Sequence, residues 1–482
     1  MGRFAFDFRL PDSIRNLFRI LEEAGGRPYL VGGAVRDALL SRPLVDFDVE
    51  VYGLAADQLR ARLSSIARVE PAGESFAVFK VAGLPGITGQ VDVSLPRRDS
   101  KRGTGHRGFE VTGDPAMPFE EAVRRRDFTI NALLFDPRSN EIVDLVGGRL
   151  DLESRLLRVV DPATFGEDSL RVLRGAQFAA RFGLRVDAAT SELCSSIPLN
   201  DLPAERISSE IEKLLLRSPR PSVGFVLLHD WKRLADVAPE LLPLEGCLQD
   251  PKWHPEGDVW THTLLAVDRI SSVISGERWG DLDPARSWAV ALAVLCHDLG
   301  KPATTREIDG RWRSLEHEEA GIPPTTSLLD RWNVHTRDGY DVRSQVLGLV
   351  ANHLKPGQFY DDRERLRDGA FRRLARKCEL DLLARVAAAD SLGRDGDFSD
   401  DAMRWFAGRA SELDVATGAP KPILMGRHLL PLGVSAGPLM GRVLAAVFER
   451  QLDGTVTDLT SAIREAGQIL SETRKTDPNE AS

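Results

Sequence analysis

The sequence predicts an α+β fold: an N-terminal head built on a small mixed β-sheet, followed by an all-α body. Three observations carry this. Period-two apolar alternation, the mark of half-buried strands, is confined to the residues before Leu150. From there on the pattern is almost continuously helical, with turns at proline and glycine. Within the head, Tyr29 to Tyr52 (YLVGGAVRDALLSRPLVDFDVEVY) sets a strand, a Gly-Gly turn, a short helix and an Asp-x-Asp strand side by side.

In chain order, Ser13 to Ala24 reads as an amphipathic helix with Ser13 as N-cap. Tyr29 to Val31 is a short strand, Gly32 and Gly33 a tight turn, and Ala34 to Leu40 a helix whose first N–H groups can face a phosphate. Glycines at such a junction are more often only a sharp turn. Asp46 and Asp48 add chemistry. At strand spacing they aim to one face while Phe47 and Val49 bury on the other. Two such carboxylates repel unless a cation lies between them. Magnesium takes oxygen ligands and clamps phosphates, so the pair points to metal-assisted phosphoryl or nucleotidyl transfer, with solvated edge-strand aspartates as the alternative. Phe76 to Val81 and Gln90 to Leu95 alternate like paired strands and set Asp92 opposite Val91 and Val93. Asp92 is then a third acid, or an exposed strand residue.

The 482 residues suffice for three or four domains, and 42% hydrophobic content is ordinary for a soluble protein. The first residues lack a signal-peptide run, and the apolar stretch Trp288 to Cys296 is too short to span a bilayer, so a cytoplasmic protein without a membrane partner is expected. Four cysteines without CxxC spacing point to reduced core thiols rather than a disulfide framework or zinc site. A net charge of -9 excludes a globally basic nucleic-acid binder. Any RNA contact must come from local patches, such as Arg97, Arg98, Lys101, Arg102, His106 and Arg107 around two glycines, followed by Arg124 to Arg126. That run is either a solvated surface or a loop gripping phosphates.

Phe165 to Phe182 reads as one helix with Asp168, Arg171, Arg174, Gln177 and Arg181 along one face, and Thr164 with Glu167 matches a capping box. An Asp acceptor beside an Arg donor fits the Watson-Crick edges of cytosine and adenine, which offer an amino donor and a ring-nitrogen acceptor. Uracil and guanine reverse that pattern and leave buried polar groups unpaired. The bland alternative is a surface ion pair worth roughly half a kcal/mol.

Through LVGGAVRD, DFDVEVYG, RRDFTINAL and EDSLRVLRGAQFAARFG, in that order, residues 29 to 182 resemble the catalytic head and neck of the class II tRNA nucleotidyltransferase and poly(A) polymerase family. The resemblance implies magnesium on Asp46 and Asp48 with Asp92 assisting, and triphosphate contacts from Gly32, Gly33, Arg36 and Arg97. It implies roles for Arg126, Asp127 and Asn131 around the sugar and in ordering the head. Glu167, Asp168 and Arg171 become the protein template for CTP and ATP, with Arg174 on the phosphates. Gln177 departs from the pattern, which usually has arginine there.

The family contains CCA-, CC-, A- and poly(A)-adding enzymes. The segment after Phe76 lacks the arginine-rich run of bacterial poly(A) polymerases, so the resemblance favours a tRNA 3′ end, and the basic segment from Arg97 to Arg107 resembles the loop needed for the switch to ATP. Further on, His262, His297, Asp298 and Asp390 have the order and spacing of an HD-domain site for a second divalent metal and phosphoester hydrolysis. His317 and His353 are additional candidate contacts, and Lys301 either neutralises a phosphate or merely ends a helix. The expected organisation is a nucleotidyltransferase head (1–149), a neck (150–245), an HD domain (246–400) and a helical tail (401–482). The expected activity is completion of the tRNA 3′ CCA end from CTP and ATP. An A-adding, CC-adding or poly(A)-adding enzyme, an HD phosphohydrolase and a non-catalytic RNA-binding protein are the alternatives.

Overall fold

A computed structural model of the chain describes residues 2–44, 46–71, 78–87, 89–101 and 109–476. The start of the strand expected at Phe76, most of the basic segment up to Arg107 and the end of the polar C-terminus lie outside the described residues. The chain divides into two compact units, Met1–Val237 and Ala238–Ser482.

The first unit opens with β1 (Gly2–Ala5), α1 (Asp12–Glu23), β2 (Arg27–Val31), α2 (Gly33–Leu39), β3 (Phe47–Tyr52), α3 (Ala56–Ser64) and β4 (Arg68–Pro71). It continues with β5 (Val78–Ala82), β6 (Gln90–Ser94), β7 (Arg97–Lys101), β8 (Phe109–Gly113), α4 (Phe119–Arg124), β9 (Leu134–Asp136) and β10 (Glu141–Asp144). Eight of these strands form one mixed sheet in the order β1-β10-β9-β2-β3-β6-β5-β4, with β3 and β6 parallel. Strand alternation decides which side chains meet. Leu30, Val49 and Val51 bury against Ile14, Leu17 and Leu21 of α1, each fully buried side chain contributing roughly 1.5–3 kcal/mol. Tyr29, Val31 and Tyr52 pack on the opposite face with Met117, Val123 and Leu134. Asp48 and Glu50 therefore share the Tyr29 face, opposite Val31 and Tyr29 in register. α1 begins one residue earlier than expected, after Pro11 rather than with Ser13 as its cap.

The rest of this unit comprises α5 (Gly148–Glu153), β11 (Leu156–Leu157), α6 (Pro162–Phe165), α7 (Leu170–Phe182), β12 (Arg185–Val186), α8 (Ala188–Ser196), α9 (Ala204–Arg217) and α10 (Ser222–Asp230). α7 packs against α9 and α10. Two expectations need correction. The helix anticipated from Phe165 to Phe182 is two: Asp161 caps the short α6 by accepting from the Ala163 amide, Gly166 and Glu167 form a turn, and α7 starts only at Leu170. The Thr164–Glu167 capping box does not form, because Thr164 lies inside α6 and its hydroxyl donates to the Arg124 carbonyl. Nor do strands end at Leu150: β11 pairs with β12, and two small hairpins follow at 305–314 and 336–341.

In the second unit the helix Pro284–Cys296 is buried along nearly its whole length, as its unbroken apolar run requires. The helices Pro438–Leu452 and Leu459–Thr476 share a separate small core around Leu429, Val443, Val447 and Ala466. No helix among the described residues is long and apolar enough to cross a membrane.

Candidate active site and a buried histidine–aspartate cluster

A cleft of about 380 Å³ in the first unit gathers the motifs that the sequence scatters. Gly32, Gly33 and Arg36 line it together with Asp46, Asp48, Arg126, Asp127, Asn131, Asp168, Arg171 and Arg174. Asp46 lies just before β3 and Asp48 on it. Parallel pairing sets Asp48 directly beside Asp92 of β6, neighbouring strands being about 4.8 Å apart. Asp48 is open to solvent at the cleft floor yet crowded by protein. That crowding, then the charges of Asp92 and Asp46, pushes its carboxyl above the usual range, against the pull of Arg126. Three mutually repelling carboxylates of this kind are a fitting donor set for a hard divalent ion. Gly32 has φ +66°, and a Cβ there would lie 3.4 Å from Arg126 Nη1 and 3.8 Å from Asp48 Oδ2, so glycine lets the turn approach both.

The RRDFTIN stretch ties the head to α7. Arg36 Nη1 donates to Asn131 Oδ1 at 2.6 Å, Asn131 Nδ2 donates to Asp127 Oδ1 at 3.0 Å, and Arg174 Nε donates to Asp127 Oδ2 at 2.8 Å. Burial opposes the charge of Asp127, but Arg174 and its hydrogen-bond donors hold the carboxyl below the usual range. Arg36 also pairs with Asp37 and stacks on Phe182, its Cζ 4.2 Å from the ring centre.

Asp168 and Arg171 both reach the cleft but do not form the helical pair anticipated. Asp168 precedes α7 in the turn, where Arg206 of α9 grips both carboxylate oxygens at 3.2 and 3.0 Å. Arg171 instead donates to the carbonyls of Thr164 and Arg125 at 3.0 and 2.7 Å. Glu167 is exposed, and among the described residues the cleft lining contains neither it, Asp92 nor Arg97. Arg97 opens β7 opposite Gly113, and Asp92 pairs with Lys80 at 3.5 Å. Gln177 is buried in the helix packing rather than in the cleft.

The second unit carries a buried cluster. His262 comes from helix Val259–Val267, His297 and Asp298 follow helix Pro284–Cys296, and Asp390 sits on helix Leu380–Leu392. His317 and His353 complete it. The Nδ1 atoms of His297, His317 and His353 lie 2.8, 2.7 and 2.8 Å from the carbonyls of Val294, Ser314 and Val350, and His262 Nδ1 lies 2.8 Å from Glu256 Oε1. A ring nitrogen meets a carbonyl or carboxylate oxygen by donating, so each Nε2 is the nitrogen turned inward. Nε2 atoms face each other at 3.3 Å (His262–His297) and 3.2 Å (His317–His353). Two nitrogens bound at about 2.1 Å to one divalent ion stand roughly 3.0–3.4 Å apart, which matches this spacing.

Asp298 lies between the two pairs, Oδ2 3.1 Å from His297 Nε2 and Oδ1 3.4 Å from His317 Nε2. Lys301 approaches Oδ2 at 2.8 Å, yet neither oxygen takes a well-directed hydrogen bond. The donors form two sets, His262/His297/Asp390 and Asp298/His317/His353. Close packing of His317 depends on Gly300, where a Cβ would fall 2.0 Å from the His317 carbonyl oxygen.

Residues 28–158 match a family profile described as the poly A polymerase head domain. The chain is 37% identical over 382 residues to the multifunctional CCA protein of Xanthomonas campestris, covering 76% of this chain and 85% of that protein. It is 40% identical over 358 residues to the protein of the same name from Pasteurella multocida, covering 69% and 80%. The chain belongs to the multifunctional CCA protein family. Its fold is similar to that of the Bacillus stearothermophilus CCA-adding enzyme solved in complex with CTP, with a TM-score of 0.65, 21% identity and coverage of 97% and 98%. The Thermotoga maritima CCA-adding enzyme complexed with tRNA gives a TM-score of 0.56 at 19% identity, covering 96% and 97%.

Three side chains of this multifunctional CCA protein family member escaped the sequence reading. Glu50 continues the Asp46, Asp48 alternation and accepts from Arg125 at 2.6 Å, Arg126 at 3.2 Å and the Tyr52 hydroxyl at 2.6 Å, so the spacing did contain a signal. Glu256 orients His262 from six residues away, a separation that one turn of backbone conceals. Arg206 lies 38 residues from Asp168 and had no local signal at all.

Proposed function

We propose that this chain is a template-independent tRNA nucleotidyltransferase that builds and repairs the 3′-terminal CCA from CTP and ATP. The observation that carries the reading is the convergence in one cleft of Asp46 and Asp48 with arginines from the head and α7, and with Asp168 and Arg171 at the entrance of that helix. Asp46 and Asp48 would hold magnesium, which supplies Lewis-acid activation of the attacking hydroxyl and neutralises phosphate charge. The RNA 3′-oxygen bonds the α-phosphorus, the bond to the bridging oxygen breaks, and pyrophosphate leaves. Asp92, beside Asp48 in register, is the nearby carboxylate that would accept the hydroxyl proton. Asp168 accepts from the base amino group and Arg171 donates to the ring nitrogen. On this reading the protein works in the cytoplasm, where tRNA and both nucleotides occur.

The test supplies purified protein with tRNA ending at the discriminator base, with tRNA ending in CC, and with unrelated RNA, plus each nucleoside triphosphate. Sequential C, C and A on the first substrate is expected. Addition of A alone to the CC-ended tRNA, arrest after CC, or a long A tract on any RNA would replace the reading with the corresponding family activity. Arg206→Ala should lower the preference for CTP over UTP by about tenfold, because it releases Asp168, while its melting temperature stays near that of the unaltered protein, as expected for a half-exposed ion pair. Competition kinetics with the two nucleotides measures this.

A second activity is favoured by the inward-facing histidine nitrogens: metal-dependent phosphoester hydrolysis in the second unit. His262, His297 and Asp390 would hold one divalent ion and His317 with His353 another, with Asp298 between them. Lys301, 2.8 Å from both Asp298 and Gln249, is placed to offset phosphate charge. Asp298→Ala should lower bound divalent metal, read by elemental analysis, and remove phosphatase activity while nucleotide incorporation persists. Unchanged metal content would reject this assignment.

A further inference from the structure

We propose that Arg181, with Arg36, forms a subsite for the distal phosphates of a nucleoside triphosphate and for inorganic pyrophosphate, so that the cleft measures phosphate-chain length. The proposal rests on the nucleotidyltransferase reading.

Arg181 differs from every other arginine lining the cleft. Arg36 is held by Asp37 and Asn131, Arg125 and Arg126 by Glu50, Arg174 by Asp127, Arg206 by Asp168 and Arg171 by backbone carbonyls. Among the described residues, the Arg181 guanidinium makes no hydrogen bond or ion pair, and Asp37 acts on it only from beyond ion-pair distance. It is half-buried, with its Cζ 5.0 Å from the Phe182 ring centre. Arg36 and Arg42 crowd the same ring at 4.2 and 4.7 Å. Three guanidinium groups thus gather around one aromatic ring, and Asp37 is the acid that acts on Arg181. Burial, then the charge of Arg36, works against the protonated form of Arg181. A cation kept in so positive a corner with no acid in direct contact carries a standing cost that a polyanion would remove.

Position favours the nucleotide tail as that anion. Arg171 and Arg181 lie ten residues apart on α7, which places them roughly 15 Å apart along the helix axis. With the base at the Arg171 end and the α-phosphate near Asp48, the distal phosphates extend toward Arg181. Three-phosphate nucleotides reach it, whereas monophosphates do not.

The test uses the full chain and two variants, Arg181→Gln and Arg181→Lys, with calorimetric binding of CTP, CMP and inorganic pyrophosphate and the KM for tRNA ending at the discriminator base. Arg181→Gln should weaken CTP and pyrophosphate by about tenfold or more, the loss of one charge-assisted hydrogen bond. CMP affinity and the KM for tRNA should not change, and Arg181→Lys should recover part of the loss. Equal weakening of CMP and CTP would overturn the proposal. So would unchanged binding of all three, or a raised KM for tRNA with unaltered CTP binding, which would assign the cation to the RNA backbone. If the unaltered chain bound CTP but extended no tRNA, the functional reading would fall, while the CTP-to-CMP ratio of Arg181→Gln would still decide the phosphate subsite.

Discussion

Asp48→Asn is expected to reduce nucleotide incorporation by roughly 10³-fold or more, the rate equivalent of losing several kcal/mol of metal-mediated charge stabilisation. The substitution keeps the shape of the side chain and removes its charge. Because crowding and the charges of Asp92 and Asp46 already disfavour ionised Asp48 in the metal-free fold, the variant should melt at the same temperature as the unaltered protein or slightly above it. Loss of function at undiminished stability separates a ligand from a structural residue. Single-turnover incorporation of labelled CTP, with thermal unfolding of the same preparation, measures both. Retention of incorporation would remove Asp48 from the chemistry. Phosphatase activity of the second unit should persist in this variant, just as incorporation should persist in Asp298→Ala.

Glu50→Ala should produce the largest loss of stability, about 3 kcal/mol or more. Glu50 is 1% exposed, and its removal leaves Arg125 and Arg126 without their carboxylate and the Tyr52 hydroxyl without its acceptor. Burial by itself would raise the Glu50 carboxyl, but Arg126 and Arg125 outweigh it and hold the group below its ordinary range. A carboxyl depressed in the folded state contributes stability above its unfolded value, near about 4.3, and that contribution fades as the pH falls through the lower folded value. The gap between the unaltered protein and Glu50→Ala should therefore be full at neutral pH and close only in acid. Urea unfolding across that range tests it, with Glu153→Ala as a control. Glu153 pairs with Arg149 on an exposed helix face, and its loss should change stability by less than about 0.5 kcal/mol. Nucleotide affinity should fall with Glu50→Ala as well, since Arg126 loses the anchor that keeps it beside Gly32 and Asp48.

Local pattern was enough wherever a short run of backbone fixes the outcome. The alternation through Asp46, Asp48 and Val49 set which side chains leave the sheet together, and the apolar run ending at His297-Asp298 marked a buried helix. Local pattern misled where two local preferences competed. The Phe165 to Phe182 periodicity is real, yet Pro162, capped by Asp161, starts a separate turn of helix, and Asp168 is left in the connection.

The amino-acid sequence determined the chemistry available to this protein: a Gly-Gly turn, paired aspartates, an arginine-rich helix, and histidines and aspartates set apart in a second unit. It could do so because residue type and spacing along one strand or helix are local properties. Only the tertiary structure decided which partners those groups have. Parallel pairing of β3 with β6 set Asp92 against Asp48, and α9 brought Arg206 to Asp168. The packing around Phe182 left Arg181 without an acid in direct contact. Such pairings depend on contacts between segments far apart in the chain, whose cost and geometry no short window of sequence contains.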